Sequence, residues 1–546
     1  MHSKTMIGVL AVVVLAGSAG VARGQCQADE LAKVTILDAE AWDDFGGAVA
    51  ISGDIAVIGA KRKDTEQGGF DSGAVRVYRF DGTQWIEEAT LISSDIDSED
   101  WFGRAVAIDG DTILVGANAA DGFEASGSGA AYVFRFNGSE WVEEAKLTAS
   151  DFAGGDYFGS SVSIVDNIAA VGAPRCSLWY GCNPNGTSSA YVYRFNGSDW
   201  IEEAILSASD ETEGTHFGCA VAVGTPNSLG GDVVLVGAFN DDHNGATFLD
   251  GVGATYVYRY DSRNAQWNEE AKLTVPEPTM CVSYRFGKNI SLDGDVALIG
   301  SEPIQPFDCQ GGGPTEPEAG AYVFRFDPEC VPGDGCSPWV FETKLVSSDM
   351  TVGDRFGTTV AIDGDLALFG AWGVWDPSIP CWADPPVPDL CVAGAAYVFA
   401  FDGTEWIEQA KLISSDIDEA DALGWFVAIS GETALVGAPG NDDAGYRSGS
   451  AYFFGGLADC NENTSMDICD IASGSSEDNN ANGTPDECEC PADLDGDGNV
   501  GAFDLAMLLG TWGPVPTPDP PDFDGDGDGD AFDLAILLGN WGPCPG

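Results

Sequence analysis

The chain has 546 residues, with 88 acidic side chains against 23 basic ones and a formal net charge of −65. This excess of carboxylates excludes nucleic acid and anionic membranes as partners, because phosphate binding needs a basic surface. It fits solubility in a salty extracellular medium, or the binding of cations.

Residues 1–24 read as a secretory signal peptide. Lys4 supplies the basic start, Ile7 to Ala16 a short apolar run, and Ala22-Arg23-Gly24 a small-x-small cleavage site. The run is too short to span a bilayer, and no later stretch is long and apolar enough to do so. Cys26 raises a lipid-anchored alternative, but Gln25 stands where such signals carry a small residue. Fifteen Cys suit an oxidising compartment. The pairs Cys176/Cys182, Cys330/Cys336 and Cys381/Cys391 read as local loop staples. The odd count leaves a thiol over, and Cys219 is the candidate, since its equivalents in the repeat are Arg104 and Ser160. Zinc is the weaker reading, because these loops lack CxxC pairs and His partners.

From Phe45 the chain repeats one phrase seven times. FGGAVAISGDIAVIGA at 45–60 returns as FGRAVAIDGDTILVGA at 102–117 and FGTTVAIDGDLALFGA at 356–371. The other copies start at Phe158, Phe217, Phe286 and Leu423, with spacings of 56 to 70 residues. In the second copy, Ala105–Ile108 and Thr112–Gly116 are predicted strands around an Asp-Gly turn. A variable loop follows, then strands Ala130–Phe136 and Trp141–Leu147 joined by Asn137-Gly138. Four antiparallel strands repeated seven times predict a β-propeller. The seventh unit stops at Gly455-Gly456 without a fourth strand, while Leu31 to Asp38 matches that missing strand. The expected fold class is therefore all-β, a seven-bladed β-propeller over 30–456 closed by the N-terminal strand. The motif Phe residues are expected to plug the space between blades, Gly46 and Gly59 to permit close backbone approach, and the Trp series from Trp85 to Trp406 to pack. Asn137 and Asn196 also match glycosylation acceptors, but the turn reading is preferred.

These repeats resemble FG-GAP repeats, the propeller units of integrin α subunits and of many bacterial secreted proteins. The resemblance implies the propeller fold. It does not extend to the calcium loops of integrin blades, because the corresponding loops KRKDTEQGGFDSG, NAADGFEASGSG and GNDDAGYRSG lack the Asp-x-Asp-x-Asp-Gly pattern. Asp442 with Asp443, or Asp241 with Asp242, are the remaining cation candidates in the propeller.

After Gly456 the composition turns to Asp and Asn. Two 12-residue segments over 457–490 place oxygen ligands at the same five positions. They are Asp459, Asn461, Asn463, Asp467 and Asp470, then Asp478, Asn480, Asn482, Asp486 and Glu489. Alternate oxygen donors in a tight loop suit Ca2+. The pair resembles thrombospondin type 3 repeats, and Cys469 and Cys488 share a register that would allow a bridge. A polar linker that binds nothing is the alternative. The final segment, 491–546, carries two calcium-type loops, DLDGDGNVGAFD at 493–504 and DFDGDGDGDAFD at 522–533. The candidate ligands are Asp493, Asp495, Asp497, Asn499 and Asp504, then Asp522, Asp524, Asp526, Asp528, Asp530 and Asp533. Asn499 and Asp528 would ligate through backbone carbonyls. Each loop leads into a short apolar helix. This duplication resembles a type I dockerin, an α-helical calcium-loop module, which implies a cohesin-like partner. Ala502-Phe503 and Ala531-Phe532 depart from the polar recognition residues usual in that family.

For function, only His216 and His243 follow the signal segment, so no Ser-His-Asp site can be argued. Irregular loops on a rigid scaffold favour recognition. The expectation is a secreted or cell-surface binding or adhesion protein, non-catalytic, with propeller loops recognising protein or glycan and a tail binding Ca2+. A dockerin-bearing extracellular carbohydrate-active enzyme is the alternative.

Overall fold

In the computed structural model the described residues are 28–120, 127–177, 181–182, 188–210, 214–224, 231–241, 251–276, 283–302, 319–330, 336–351, 353–375 and 392–457. In the tail they are 466, 471, 476, 499–500, 502–510, 513–514, 528–529, 531–539 and 542–543.

Seven four-stranded antiparallel sheets form the blades of a propeller. Blade 2 is representative, with strands Phe102–Asp109, Thr112–Ala117, Ala130–Phe136 and Trp141–Leu147. The innermost strands touch one another in sequence around the ring, blade 7 against blade 1 included. Second strands such as Thr112–Ala117 are buried on both faces, which is why they read as unbroken apolar runs. Outer strands such as Trp141–Leu147 alternate between half-buried and exposed positions.

The last blade joins the two ends of the propeller. Asp29–Val34 pairs antiparallel with Ser450–Gly455, beside Thr433–Ala438 and Phe426–Ser430. The closing strand makes two contacts that recur in several other outer strands. Glu30 accepts from Ser415 N and Oγ, as Glu143 accepts from Ser94. Lys33 meets Asp416, which also accepts from Tyr452, as Lys146, Asp95 and Tyr132 meet in blade 2.

The core is a ring of seven apolar clusters, each shared by two adjacent blades. Every motif Phe, and Leu423 in its place, is fully buried there. Phe102, for example, lies among Val57 and Val75 of blade 1 and Val115 and Phe134 of blade 2. The motif glycines meet across the same interfaces. A Cβ on Gly59 would lie 2.2 Å from the Gly103 carbonyl oxygen, and one on Gly437 2.1 Å from that of Gly46. The Phe-Gly step of each blade thus seats against the Gly-Ala step of the blade before, through the closing interface.

At the rim, five of the seven interfaces carry the same clamp. Trp141 Nε1 donates to Glu88 at 3.1 Å, Glu88 pairs with Arg79 at 3.1 Å, and Arg79 lies 5.2 Å over Phe136. The acid sits at a β-bulge of the outer strand, which turns its side chain towards the next blade. Glu144, Glu203, Glu270 and Glu342 repeat the arrangement with Trp200, Trp267, Trp339 and Trp406. In the closing strand Leu31 occupies the bulge, and Trp85 Nε1 of blade 1 is buried without a hydrogen-bond partner. Trp85 stacks instead on Phe453 at 4.2 Å.

Cys330 and Cys336 form a disulfide. Cys176 stands opposite Cys182 in a two-residue ribbon, and the Cys381/Cys391 pair lies outside the described residues. Cys219 is a free thiol. Burial pushes its pKa up to about 12 and its Sγ donates to the Gly287 carbonyl at 3.4 Å.

Met466 is buried against blade 7 together with Ala28 and Leu457. In the tail, helices Ala502–Gly510 and Ala531–Gly539 pack through Leu505, Leu508, Leu534 and Leu537. Asn499–Val500 pairs with Gly542–Pro543, and Gly513–Pro514 with Asp528–Gly529. Each loop therefore pairs with the segment that follows the other loop's helix.

Candidate functional site

Strand alternation gives the propeller two unlike faces. Turns between first and second strands, and between third and fourth, lie on one face and are tight except at 225–232 in blade 4 and 327–338 in blade 5. Gly138 adopts φ +93° there, and Asn137 Oδ1 accepts from Ser139 N and Glu140 N. Asn196 holds the equivalent turn. The opposite face carries the long loops between second and third strands and the connections between blades. Its exposed aromatic side chains include Trp42, Phe70, Trp375 and Tyr446. Trp42, Phe70 and Arg62 line a shallow cleft of about 310 Å³ with Asp64 and Asp71.

A collar surrounds the axis on this loop face. The residue before each motif aromatic is left-handed, from Asp44 at φ +54° through His216 at +57° to Arg355 at +59°. One residue earlier, Asp43, Asp100, Asp156, Asp354 and Asp421 each accept a backbone N–H from three residues upstream. Burial raises the pKa of Asp421 to about 7 and that of Asp100 to about 6, and it raises those of Asp43 and Asp156 as well. A turn-capping role accounts for these carboxyls without any reaction.

Two buried acids in the collar each gather three cations. Asp44 meets Lys61 at 2.9 Å and Arg62 and Arg447 at 3.6 Å. Glu302 meets Arg285 at 3.0 Å, with Lys288 and Arg355 also bound to its carboxylate. Aromatic rings flank both groups. Arg447 lies 5.5 Å over Trp42, and Arg355 lies 4.3 Å over Trp372, which packs on Trp425 at 4.7 Å. Among the described residues no cluster of His, Cys, Asp and Glu is arranged to hold a metal. Of the suggested propeller cation pairs, Asp443 is ion-paired with Lys33 and Asp241 with Lys272, Asp442 is exposed, and Asp242 lies outside the described residues.

The collar escaped the sequence reading. Its residues occupy fixed offsets from the motif, but their types change from blade to blade. The signal within reach was the basic run Lys61-Arg62-Lys63 in so acidic a chain. Of the tail ligands, Asn499 and Asp528 lie in two-residue strands and Asp504 and Asp533 in the first turns of the helices. Their side chains, and every other ligand named for 457–490 and 491–546, lie outside the described residues.

Six segments match the FG-GAP repeat family: 29–78, 85–134, 141–193, 200–258, 339–399 and 406–454. Each runs from an outer strand into the third strand of the following blade, so the first match begins with the closing strand. A search of curated proteins finds no match. Among solved structures, Sqt1 of Saccharomyces cerevisiae is similar at 11% identity and a TM-score of 0.38, covering 79% of this chain and 99% of that one. A candidate 6-phosphogluconolactonase from Bacteroides uniformis is similar at 11% identity and a TM-score of 0.40, covering 68% and 86%. With six matched segments spread over seven phased blades, the chain belongs to the FG-GAP repeat family.

Proposed function

We propose that this chain is a secreted or cell-surface binding protein whose loop face takes a protein or glycan ligand. The observation that carries this reading is the asymmetry of the propeller. One face consists mostly of tight turns, whereas the other presents half-exposed aromatic rings and clustered ionic groups on a rigid ring. Such surfaces suit recognition, with rings supplying contact area and charges fixing orientation. FG-GAP propellers are consistent with binding or adhesion.

The tail is a second, Ca2+-binding unit in this reading. Helices begin at Ala502 and Ala531, the tenth positions of the loops at 493–504 and 522–533. This is where an exiting helix must start if residue 12 is to reach a cation held by residues 1, 3 and 5. Asp493, Asp495, Asp497 and Asp504 would hold one ion, and Asp522, Asp524, Asp526 and Asp533 the other. The bound ions would screen carboxylates that otherwise repel, and the ordered unit would dock to a cohesin-like partner. No helix among the described residues is long and apolar enough to cross a membrane.

The test is to incubate the full chain with immobilised polysaccharides and extracellular proteins, scoring retention against release of reducing sugar. Retention without turnover is expected. Turnover would overturn the binding reading in favour of a carbohydrate-active enzyme.

A further inference from the structure

Many ion pairs among the described residues set two acids on one cation. Lys33 meets both Asp416 and Asp443, Arg194 both Glu203 and Asp232, and Arg325 both Asp295 and Glu342. At Glu302 the ratio is reversed, with three cations on one carboxylate. The acid lies innermost, with 4% of its side chain exposed, while Arg285, Lys288 and Arg355 keep 29%, 29% and 30%. Burial alone would raise the Glu302 pKa, but Lys288, Arg285 and Arg355 bring it below the usual carboxylate value. The carboxylate is therefore ionised at neutral pH, and the group presents surplus positive charge to solvent.

Arg285 and Arg355 each give one terminal nitrogen to Glu302. Their remaining guanidinium N–H groups have no hydrogen-bond partner among the described residues. Rings stand beside them: Trp372 under Arg355, Trp425 against Trp372, and half-exposed Trp375 in the same loop. His216 stacks on Phe239 at 4.5 Å, and burial together with Arg285 lowers its pKa to about 4, so it adds no charge at neutral pH. The Asp44 group differs, because Asp64 and Asp71 stand beside Arg62 and offset its cations.

We propose that the Glu302 cluster binds the carboxylate of an acidic saccharide, a uronate-type residue of a glycan. Guanidinium forks match a carboxylate in shape and charge, and indole faces pack against the C–H face of a pyranose ring. The paired tryptophans favour a sugar over an acidic peptide, which would need charge alone. This proposal rests on the loop face being a binding face and names what it binds.

The test is affinity electrophoresis of the full chain at physiological ionic strength with calcium, in gels containing polygalacturonate, neutral dextran or polyglutamate. Polygalacturonate should retard the protein and the other two should not. Arg355→Gln should weaken retardation about tenfold or more, as expected for loss of a charge-assisted contact. Glu302→Gln, which removes the internal acid, should strengthen it, an effect that general damage to the fold cannot produce. Arg263→Gln, in a turn on the opposite face, should change nothing. Retardation by polyglutamate alone, equal retardation by dextran, or a weakening by Glu302→Gln would overturn the proposal. If immobilised proteins or neutral glycans bind the loop face while polygalacturonate does not, this assignment fails and the binding reading stands.

Discussion

Replacing Gly116 with alanine tests how the blades are held together. A Cβ at Gly116 would lie 2.0 Å from the carbonyl oxygen of Gly159 in the next blade, and 3.0 Å from that carbonyl's carbon. Ordinary contact begins near 3.4 Å, so blades 2 and 3 must part by roughly 1.4 Å at this point. The obstacle is backbone, so no side chain can rotate away. The Gly116 φ lies outside the left-handed region, so alanine incurs no dihedral penalty and the clash is isolated. Forced overpacking typically costs 1–3 kcal/mol, and a backbone obstacle places this case at about 3 kcal/mol or more. Gly138→Ala is the control. Its φ is +93° but nothing lies within 4 Å of the added atom, so only the conformational cost of about 1 kcal/mol remains. In a propeller of this size each kcal/mol moves Tm by roughly 1 °C. Thermal unfolding followed by circular dichroism should therefore show a loss of about 3 °C or more for Gly116→Ala and about 1 °C for Gly138→Ala. Equal losses, or a larger loss for Gly138→Ala, would refute the close-approach role of the motif glycine.

Leu31→Glu restores the acid that other outer strands place at the bulge and offers Trp85 Nε1 an acceptor. A gain of about 1 kcal/mol in unfolding free energy is expected, and a loss would show that the site prefers its apolar contact. Asp421 holds its proton to about 7 when folded against 3.8 in the unfolded chain. Folding therefore takes up a proton between those values, and stability falls as pH rises through them. The penalty at pH 8 is on the order of 2–4 kcal/mol. Asp421→Asn should consequently gain on the parent protein from pH 4 to pH 8 in thermal melts, and a pH-independent difference would contradict this origin. Calcium titration of the full chain by calorimetry should lose about two ions in Asp493→Ala/Asp522→Ala. Unchanged stoichiometry would remove the tail loops as binding sites.

Much of the ring was legible because the forces that build it repeat with the sequence. The strands Ala130–Phe136 and Trp141–Leu147 fall where alternation and the Asn-Gly turn place them. The innermost strand begins at Phe102 rather than Ala105, since Phe102 pairs with Ala117 across an irregularity that strand periodicity cannot reveal. Blade closure was legible from one missing strand and one spare one. The Trp series was rightly assigned to packing, but the acid that five of its six indoles meet lies one blade away and depends on a bulge. The collar was hidden for a different reason. Glu302, Arg285, Lys288 and Arg355 come from two blades and converge only when the ring is formed. No local pattern marks that convergence.

The shared last blade also sets the order of events during synthesis. Within the interior of the chain, contacts between neighbouring blades join residues about one repeat apart, as Ser94 and Glu143 are, 49 positions from one another. The contact between Ser415 and Glu30 spans 385 positions. Most interfaces can therefore form while the ribosome is still working, whereas the final one must wait for Tyr452 to emerge. Until then the nascent array carries two bare apolar flanks, one at each end, shaped to fit one another. A flank that meets its counterpart on a second chain would form an open oligomer instead of a closed ring. Closure is thus a kinetic commitment, and the seam between the chain's two ends is where this protein's yield on refolding is decided.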